Sequence, residues 1–241
     1  MAYELYYWPT IQGRGEFIRL ALEQAGTDYV DVARGEGGMS AMMRGLEAGP
    51  HPSFAPPYLK DGDAVVGQTA AILLYLGPRL GLAPADDAGR LWTHQIQLTL
   101  ADLVLQAHDT HHPIGGELCY EDQKPEALKR SELFRKARMP KHFGWLERIL
   151  DRNPARSGWL VGGALTYADL SAFQVVAGLT YAFPKATAGA LKAAPRLHAL
   201  AERVRALPNI AAYLASPRRI AFNRDGIFRD YPELDGPAGG T

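Results

Sequence analysis

The chain has 241 residues, 47% of them hydrophobic and 22% charged, with 26 basic residues set against 26 acidic ones. That is an ordinary globular composition, and with no excess positive charge nothing argues for nucleic acid or an anionic membrane as the main partner. The single cysteine, Cys119, rules out an intramolecular disulfide framework and suits a reducing compartment.

Tyr3 to Trp8 is rich in aromatics and reads as a strand. Pro9 to Gly13 is a loop. From Arg14 on, Phe17, Ile18, Ala21, Leu22 and Ala25 recur at helical spacing, and Gly26 is placed to cap the helix end. Tyr29 to Ala33 is a second short strand, so the first third of the chain opens with a βαβ unit and a parallel pair. Met39 to Leu46 carries a short helical pattern. Gly35-Glu36-Gly37-Gly38 beside it lacks the spacing and the Lys-Ser/Thr ending of a phosphate loop. Lys60-Asp61-Gly62-Asp63 turns Tyr58-Leu59 back into Ala64-Val65-Val66 as a hairpin. A helix is expected from Thr69, which can cap it, to Leu76, where Gly77-Pro78 stops it.

Gly81 to Gly89 reads as a linker. Helices are expected beyond it at Arg90 to His111, at Pro125 to Leu150 with a kink or break at Pro140, at Tyr167 to Tyr181, at Pro195 to Leu207 and at Asn209 to Leu214. Thr166 and Asp169 form a capping box that opens the apolar run from Leu170 to Leu179, fed by the glycine loop Trp159-Leu160-Val161-Gly162-Gly163. Residues 216–241 form an irregular tail whose Gly-Pro-Ala-Gly-Gly run is expected to be disordered. With no basic-then-apolar leader and no apolar stretch near the ~20 residues of a membrane span, a cytoplasmic protein is expected.

A sheet layer joined to a helical bundle leaves a cleft, where small ligands usually sit. The end of the first strand (Tyr6, Tyr7, Trp8), the Pro56-Pro57 turn and the helix start at Gln68-Thr69 are the segments able to face it. A helix N-terminus is a natural seat for a carboxylate, although Thr69 could equally serve its own helix alone. His108 and His112, four apart, share a helix face. The stretch from His108 through His111 to His112 and Pro113 is open to three readings: a metal site lacking further ligands, a polar wall of a pocket, or a helix end whose dipole favours imidazoles. Cys119 reads as a partly buried inert thiol and Arg218-Arg219 as a solvated surface pair.

Taken together, several segments resemble one family. Tyr7-Trp8-Pro9 with Gly13-Arg14-Gly15-Glu16-Phe17-Ile18-Arg19, the Pro57-Tyr58-Leu59-Lys60-Asp61-Gly62 turn, Gln68-Thr69-Ala70-Ala71-Ile72-Leu73-Leu74-Tyr75-Leu76 and the Thr166-Tyr167-Ala168-Asp169 cap follow the order found in cytosolic glutathione transferases of the tyrosine-type classes (mu, pi, alpha, sigma). The likeness spans residues 3–215. It implies an α/β thioredoxin-like N-terminal domain (βαβ-ββα, residues 1–80), a linker (81–89), an all-α helical-bundle C-terminal domain (90–215) and a tail (216–241). The implied source is bacterial.

The resemblance also implies an activity. Glutathione would be a co-substrate, with no metal, and its thiol would be activated for attack on small hydrophobic electrophiles in a detoxifying homodimer. A cysteine-type thiol has a pKa of about 8.5, and a hydrogen bond from a tyrosine hydroxyl favours its anion. That role falls to Tyr7, with Tyr6 as the alternative because the loop to Gly13-Arg14 is one residue longer than the family pattern. Trp8, Arg14, Pro56, Pro57 in a cis bond, Gln68 and Thr69 would hold glutathione, and Asp102 would reach its amine across a dimer interface. His108, His111, His112, Tyr120 and Phe222, with Asn223 beside them, would line the electrophile pocket. Pro56 lacks the N–H that the family offers to the ligand there. That gap and the longer loop leave a non-catalytic carrier or interaction module as the alternative function.

Overall fold

In the computed structural model, which describes residues 2–236, a four-stranded sheet is assembled from β1 (Tyr3–Tyr6), β2 (Tyr29–Asp31), β3 (Tyr58–Asp61) and β4 (Ala64–Gly67) in the order β2-β1-β3-β4. β1 and β2 run parallel, joined by α1 (Gly15–Ala25). β3 runs antiparallel to both β1 and β4. Gly26 ends α1 in the left-handed region, φ 63°, which a glycine occupies without a Cβ penalty. α2 (Gly38–Leu46) covers one sheet face over Tyr6, Met42 and Tyr58. α1 and α3 (Thr69–Arg79) cover the other over Leu5, Leu59, Ile18 and Ile72. Successive strand residues point to opposite faces, so Leu5 and Tyr6 belong to different layers.

The remaining helices are α4 (Asp87–His108), α5 (Lys124–Leu133), α6 (Met139–Arg152), α7 (Tyr167–Ala182), α8 (Pro184–Lys192), α9 (Pro195–Arg205) and α10 (Pro208–Leu214). α7 is buried on nearly every side and is the axis of the helical part. Its capping box is formed: the Asp169 carboxylate accepts from the Thr166 N–H (2.7 Å), the Thr166 hydroxyl (2.9 Å) and the Leu160 N–H (2.8 Å). The glycine loop is thereby tied to the helix start.

The structure departs from expectation at several elements. α3 runs through Gly77 and Pro78 to Arg79. The carbonyl that Pro78 leaves without a donor belongs to Leu74, which is exposed, so water can serve it. α4 begins at Asp87, capped by Asp86, whose carboxylate accepts from the Gly89 N–H at 2.8 Å; Gly89 is inside a helix, not in a linker. α4 ends at His108, leaving His111 and His112 in the following turn. Pro140 is the second residue of α6, and the turn before it, Phe134–Arg138, widens to π geometry. That widening accommodates a residue that cannot donate to Lys136. α8 was not expected at all. The tail is irregular except for a short 3₁₀ turn at Pro232–Asp235, and the part of its Gly-Pro-Ala-Gly-Gly run from residue 237 on lies outside the described residues.

Candidate functional site between the sheet layer and the helices

Strand β1 stops at Tyr6, so Tyr7 and Trp8 open the loop that follows it. Tyr6 turns away toward α2. Its ring stacks on Tyr58 at 4.3 Å, and its hydroxyl donates to Glu4 at 2.7 Å. Burial and that carboxylate push its phenol well above the usual range. Tyr7 turns the other way, toward α1. Its hydroxyl oxygen accepts the Arg14 N–H at 2.8 Å, so its own proton remains available to a further acceptor. Only 3% of Tyr7 is exposed, and burial raises its pKa, opposed by the Arg14 N–H and the charges of Arg14 and Arg19. The phenol is therefore a neutral donor at pH 7. Gly13 (φ 45°) and Gly15 lie directly against the Tyr7 ring and hydroxyl, where a Cβ would collide. Trp8 is half-buried against the α2 side.

The Pro56–Pro57 bond is cis and leads directly into β3. Thr69 is not the N-cap expected of it. Gln68 occupies that place with φ 65°, without a side-chain cap, and Thr69 is the first helical residue. The Thr69 hydroxyl instead donates to the Arg14 carbonyl at 3.2 Å, tying the start of α3 to the loop beside Tyr7. Arg14, Phe17, Gln68 and Thr69 then face α4 across a cavity of about 300 Å³. Its α4 wall holds His94, Gln97, Leu98, Ala101 and Val104, one face of that helix. Asp102 lies on α4 outside this cavity, exposed, with its charge felt by His142 of α6. Within one chain it is not brought to Gln68 and Thr69.

His108 and His112 do not share a helix face, because α4 has already ended, yet the turn gathers the three imidazoles. Ring centroids are 5.0 Å apart for His108–His111, 5.4 Å for His108–His112 and 4.7 Å for His111–His112. His111 is buried, with its Nε2 2.8 Å from the Ile227 carbonyl and its Nδ1 against that of His112. Burial lowers all three pKa values, that of His111 to about 3, and the Arg14 charge contributes at His108. The cluster is thus neutral and close to Arg14. Tyr120 is one layer back, donating to Glu233 at 3.1 Å and stacked on Tyr231 at 3.9 Å. Phe222 stacks on Tyr181 at 5.0 Å, and Asn223 donates to the Thr10 carbonyl at 2.8 Å. Among the described residues, no group of three or more His, Cys, Asp or Glu side chains is arranged to hold a metal ion.

Two expectations are corrected. Cys119 is exposed. Arg219 is not a solvated residue: its side chain is 9% exposed and pairs with Glu16, while Arg218 alone forms a surface pair, with Glu23. Glu16 and Arg219 belong to a buried network that single-residue reading does not reveal. Arg19 holds Asp31 at 2.7 Å and Glu16 at 3.4 Å, Tyr213 donates to Glu16 at 2.8 Å, and Gln174 links Arg219 to Gln12. The Arg19 guanidinium is 5.8 Å from the Tyr7 ring centroid, so this network underlies the loop that presents the phenol. Two charged residues one turn apart on an otherwise apolar α1 face were the available signal.

Comparison with known proteins bears on the chain as a whole. Residues 108–217 match the family model "Glutathione S-transferase, C-terminal domain". The chain is 31% identical to a glutathione S-transferase P 1 of Xenopus laevis over 90% of this chain and 93% of that protein. It is also 31% identical to a glutathione S-transferase 1 of Ascaris suum, over 88% and 95%. A crystal structure of a monomeric glutathione S-transferase from the hookworm Necator americanus superposes with a TM-score of 0.69 at 23% identity, covering 92% of this chain and all of that one. These relatives are eukaryotic and do not support the bacterial source expected from the resemblance. No helix among the described residues is long and apolar enough to cross a membrane.

Proposed function

The chain belongs to the glutathione S-transferase family, and from its activity as a glutathione transferase we propose how its own residues carry the reaction. Tyr7 donates its hydroxyl proton in a hydrogen bond to the sulfur of glutathione and favours the thiolate. The observation that carries this is the Arg14 N–H at 2.8 Å, which occupies the phenol oxygen and leaves its proton directed elsewhere. A hydrogen bond to a charged partner is worth about 1.5–3 kcal/mol, which lowers the thiol pKa from about 8.5 by one to two units. The raised pKa of Tyr7 suits the task, because the phenol stays protonated while the thiol ionises.

The γ-glutamyl carboxylate sits at the N-terminus of α3, where Gln68, Thr69 and the first free N–H groups meet Arg14. The backbone at Pro56–Pro57, beside Trp8, pairs with the cysteinyl amide, and Pro56 contributes a carbonyl but no N–H. Asp102 acts in trans. Leu91, Leu98 and Leu105 recur at intervals of seven on α4 and are exposed, as are Leu74, Leu128 and Phe54. The row of leucines on α4 is what a homodimer would cover. The neutral imidazoles of His108 and His112, close to Arg14, form one wall for a small electrophile, with Phe222 at its far edge. The cytoplasm is the compartment that fits a glutathione-dependent enzyme.

Turnover with an aryl halide and glutathione tests the reading. Tyr7→Phe should lose about 10- to 100-fold in kcat/KM and raise the pH at which bound thiolate absorbance appears by one to two units. Tyr6→Phe should leave both unchanged. The reverse pattern would move the donor role to Tyr6.

A further inference from the structure

Gly13 leaves room for the Tyr7 hydroxyl, but it cannot hold a conformation by itself. Glycine is the most permissive backbone residue, so its φ of 45° has to be imposed by neighbours. The angle matters because the next peptide carries the Arg14 N–H, which meets the Tyr7 oxygen at 2.8 Å. Peptide units are planar, so once Gln12 is fixed only the few soft dihedrals around Gly13 aim that N–H. On the far side, the Arg14 carbonyl is already held by the Thr69 hydroxyl.

Gln12 is held from three elements. It is buried, and so is Gln174, which reaches it from α7. The Gln12 carbonyl accepts the Glu16 N–H at 3.0 Å and the Arg19 guanidinium at 3.4 Å. Its side-chain amide donates to the Ile220 carbonyl and accepts from Gln174 at 2.8 Å. Gln174 in turn accepts from Arg219 at 3.1 Å. The direction of this chain is settled at its ends: a guanidinium only donates and a carbonyl only accepts, so neither amide can be turned over. The rest of the loop is gripped in the same way, with Asn223 donating to the Thr10 carbonyl at 2.8 Å and Arg19 to the Ile11 carbonyl at 3.4 Å. A fully bonded buried amide pair specifies one arrangement where apolar side chains would allow several.

We propose that Gln12 is a positioning residue for the thiol-activating hydrogen bond. Clamped between Gln174 of α7 and the Ile220 carbonyl of the tail, it fixes the Gly13–Arg14 peptide whose N–H occupies the Tyr7 oxygen and so directs the phenol proton. This rests on the reading of Tyr7 as the donor to sulfur and extends it to residues that touch neither sulfur nor phenol. The core helix and the tail thereby set the aim of a hydroxyl that belongs to the sheet layer.

Thiolate absorbance of bound glutathione against pH, measured on the full chain, tests the assignment. Gln12→Leu should raise the pH of half-ionisation by about 0.5 to 1 unit, less than the one to two units of Tyr7→Phe. At saturating glutathione its kcat should fall by about three- to tenfold with the KM for glutathione little changed. Gln174→Glu still accepts from Arg219 but no longer donates to Gln12. It should shift the thiolate in the same direction, and it decides the matter if Gln12→Leu does not fold by circular dichroism. In a Tyr7→Phe background both substitutions should add less than about 0.2 unit, because no phenol is left to aim. No shift in either variant, or the same shift with and without the phenol, would overturn the inference and leave Tyr7 as the donor. An unshifted Tyr7→Phe would overturn the donor reading and this inference with it.

Discussion

At the scale of single residues, the phenol of Tyr7 depends on what is missing beside it. Gly13 sits at φ 45° with its α-carbon against the Tyr7 hydroxyl. Gly13→Ala should therefore destabilise by about 2 kcal/mol, from a left-handed backbone and a steric conflict combined, and should displace the phenol. Denaturant unfolding and turnover measured together check this, with activity falling well beyond what unfolding explains. Arg219 offers a second test. It is one of the groups that compensate the buried Glu16 carboxylate, alongside Arg19 and Tyr213. Arg219→Met should cost about 3 kcal/mol, the lower end for breaking a buried pair, because the other two partners remain. A change under 1 kcal/mol would show the pair to be dispensable.

At the scale of elements, the start of α7 carries a pH-dependent term. Burial pushes the Asp169 carboxyl up to about 6, against three hydrogen bonds that favour the anion. A carboxyl whose folded pKa exceeds its unfolded value of about 3.8 gains stability as it takes up a proton. The parent should therefore become more stable relative to Asp169→Asn as pH falls from about 6 to 4, with the difference flat above pH 7. Asp169→Ala should cost about 2–4 kcal/mol at pH 7, since it strands two N–H groups and a hydroxyl, and more as pH falls through the same window. The cap itself was legible in the sequence, because Thr166 and Asp169 are three residues apart and the bonds are local. So were β1, α1 and the β3–β4 hairpin, where periodicity and turn chemistry agree. Local reading failed where distant contacts decide. α3 passes Pro78 because it is nearly complete there, and α8 has too weak an apolar pattern to stand out without Phe183 and Asp235 at its start. Asp235 accepts from the Lys185 and Ala186 N–H groups at 2.8 and 3.1 Å, a cap supplied from far along the chain.

At the scale of the whole molecule, the exposed leucines of α4 call for a covering surface. If the proposed homodimer forms across this face, Leu98→Glu should shift it to a monomer in sedimentation, because burying an unpaired carboxylate in a dimer interface is costly. An unaltered dimer would place the contact elsewhere. The residues lining the cavity come from segments that sequence order keeps far apart: Gln68 and Thr69 stood out in the sequence as a helix start, while His94 and Gln97 of the opposite wall are visible only once α3 is set beside α4. The Glu16 network reaches further still. Tyr213 and Arg219 meet Glu16 across 197 and 203 residues of chain. On the ribosome, the first βαβ unit therefore emerges long before the tyrosine hydroxyl and the second guanidinium that complete the partners of its interior carboxylate. Until those residues are made, Glu16 has only Arg19 as a charged partner, a guanidinium it shares with Asp31.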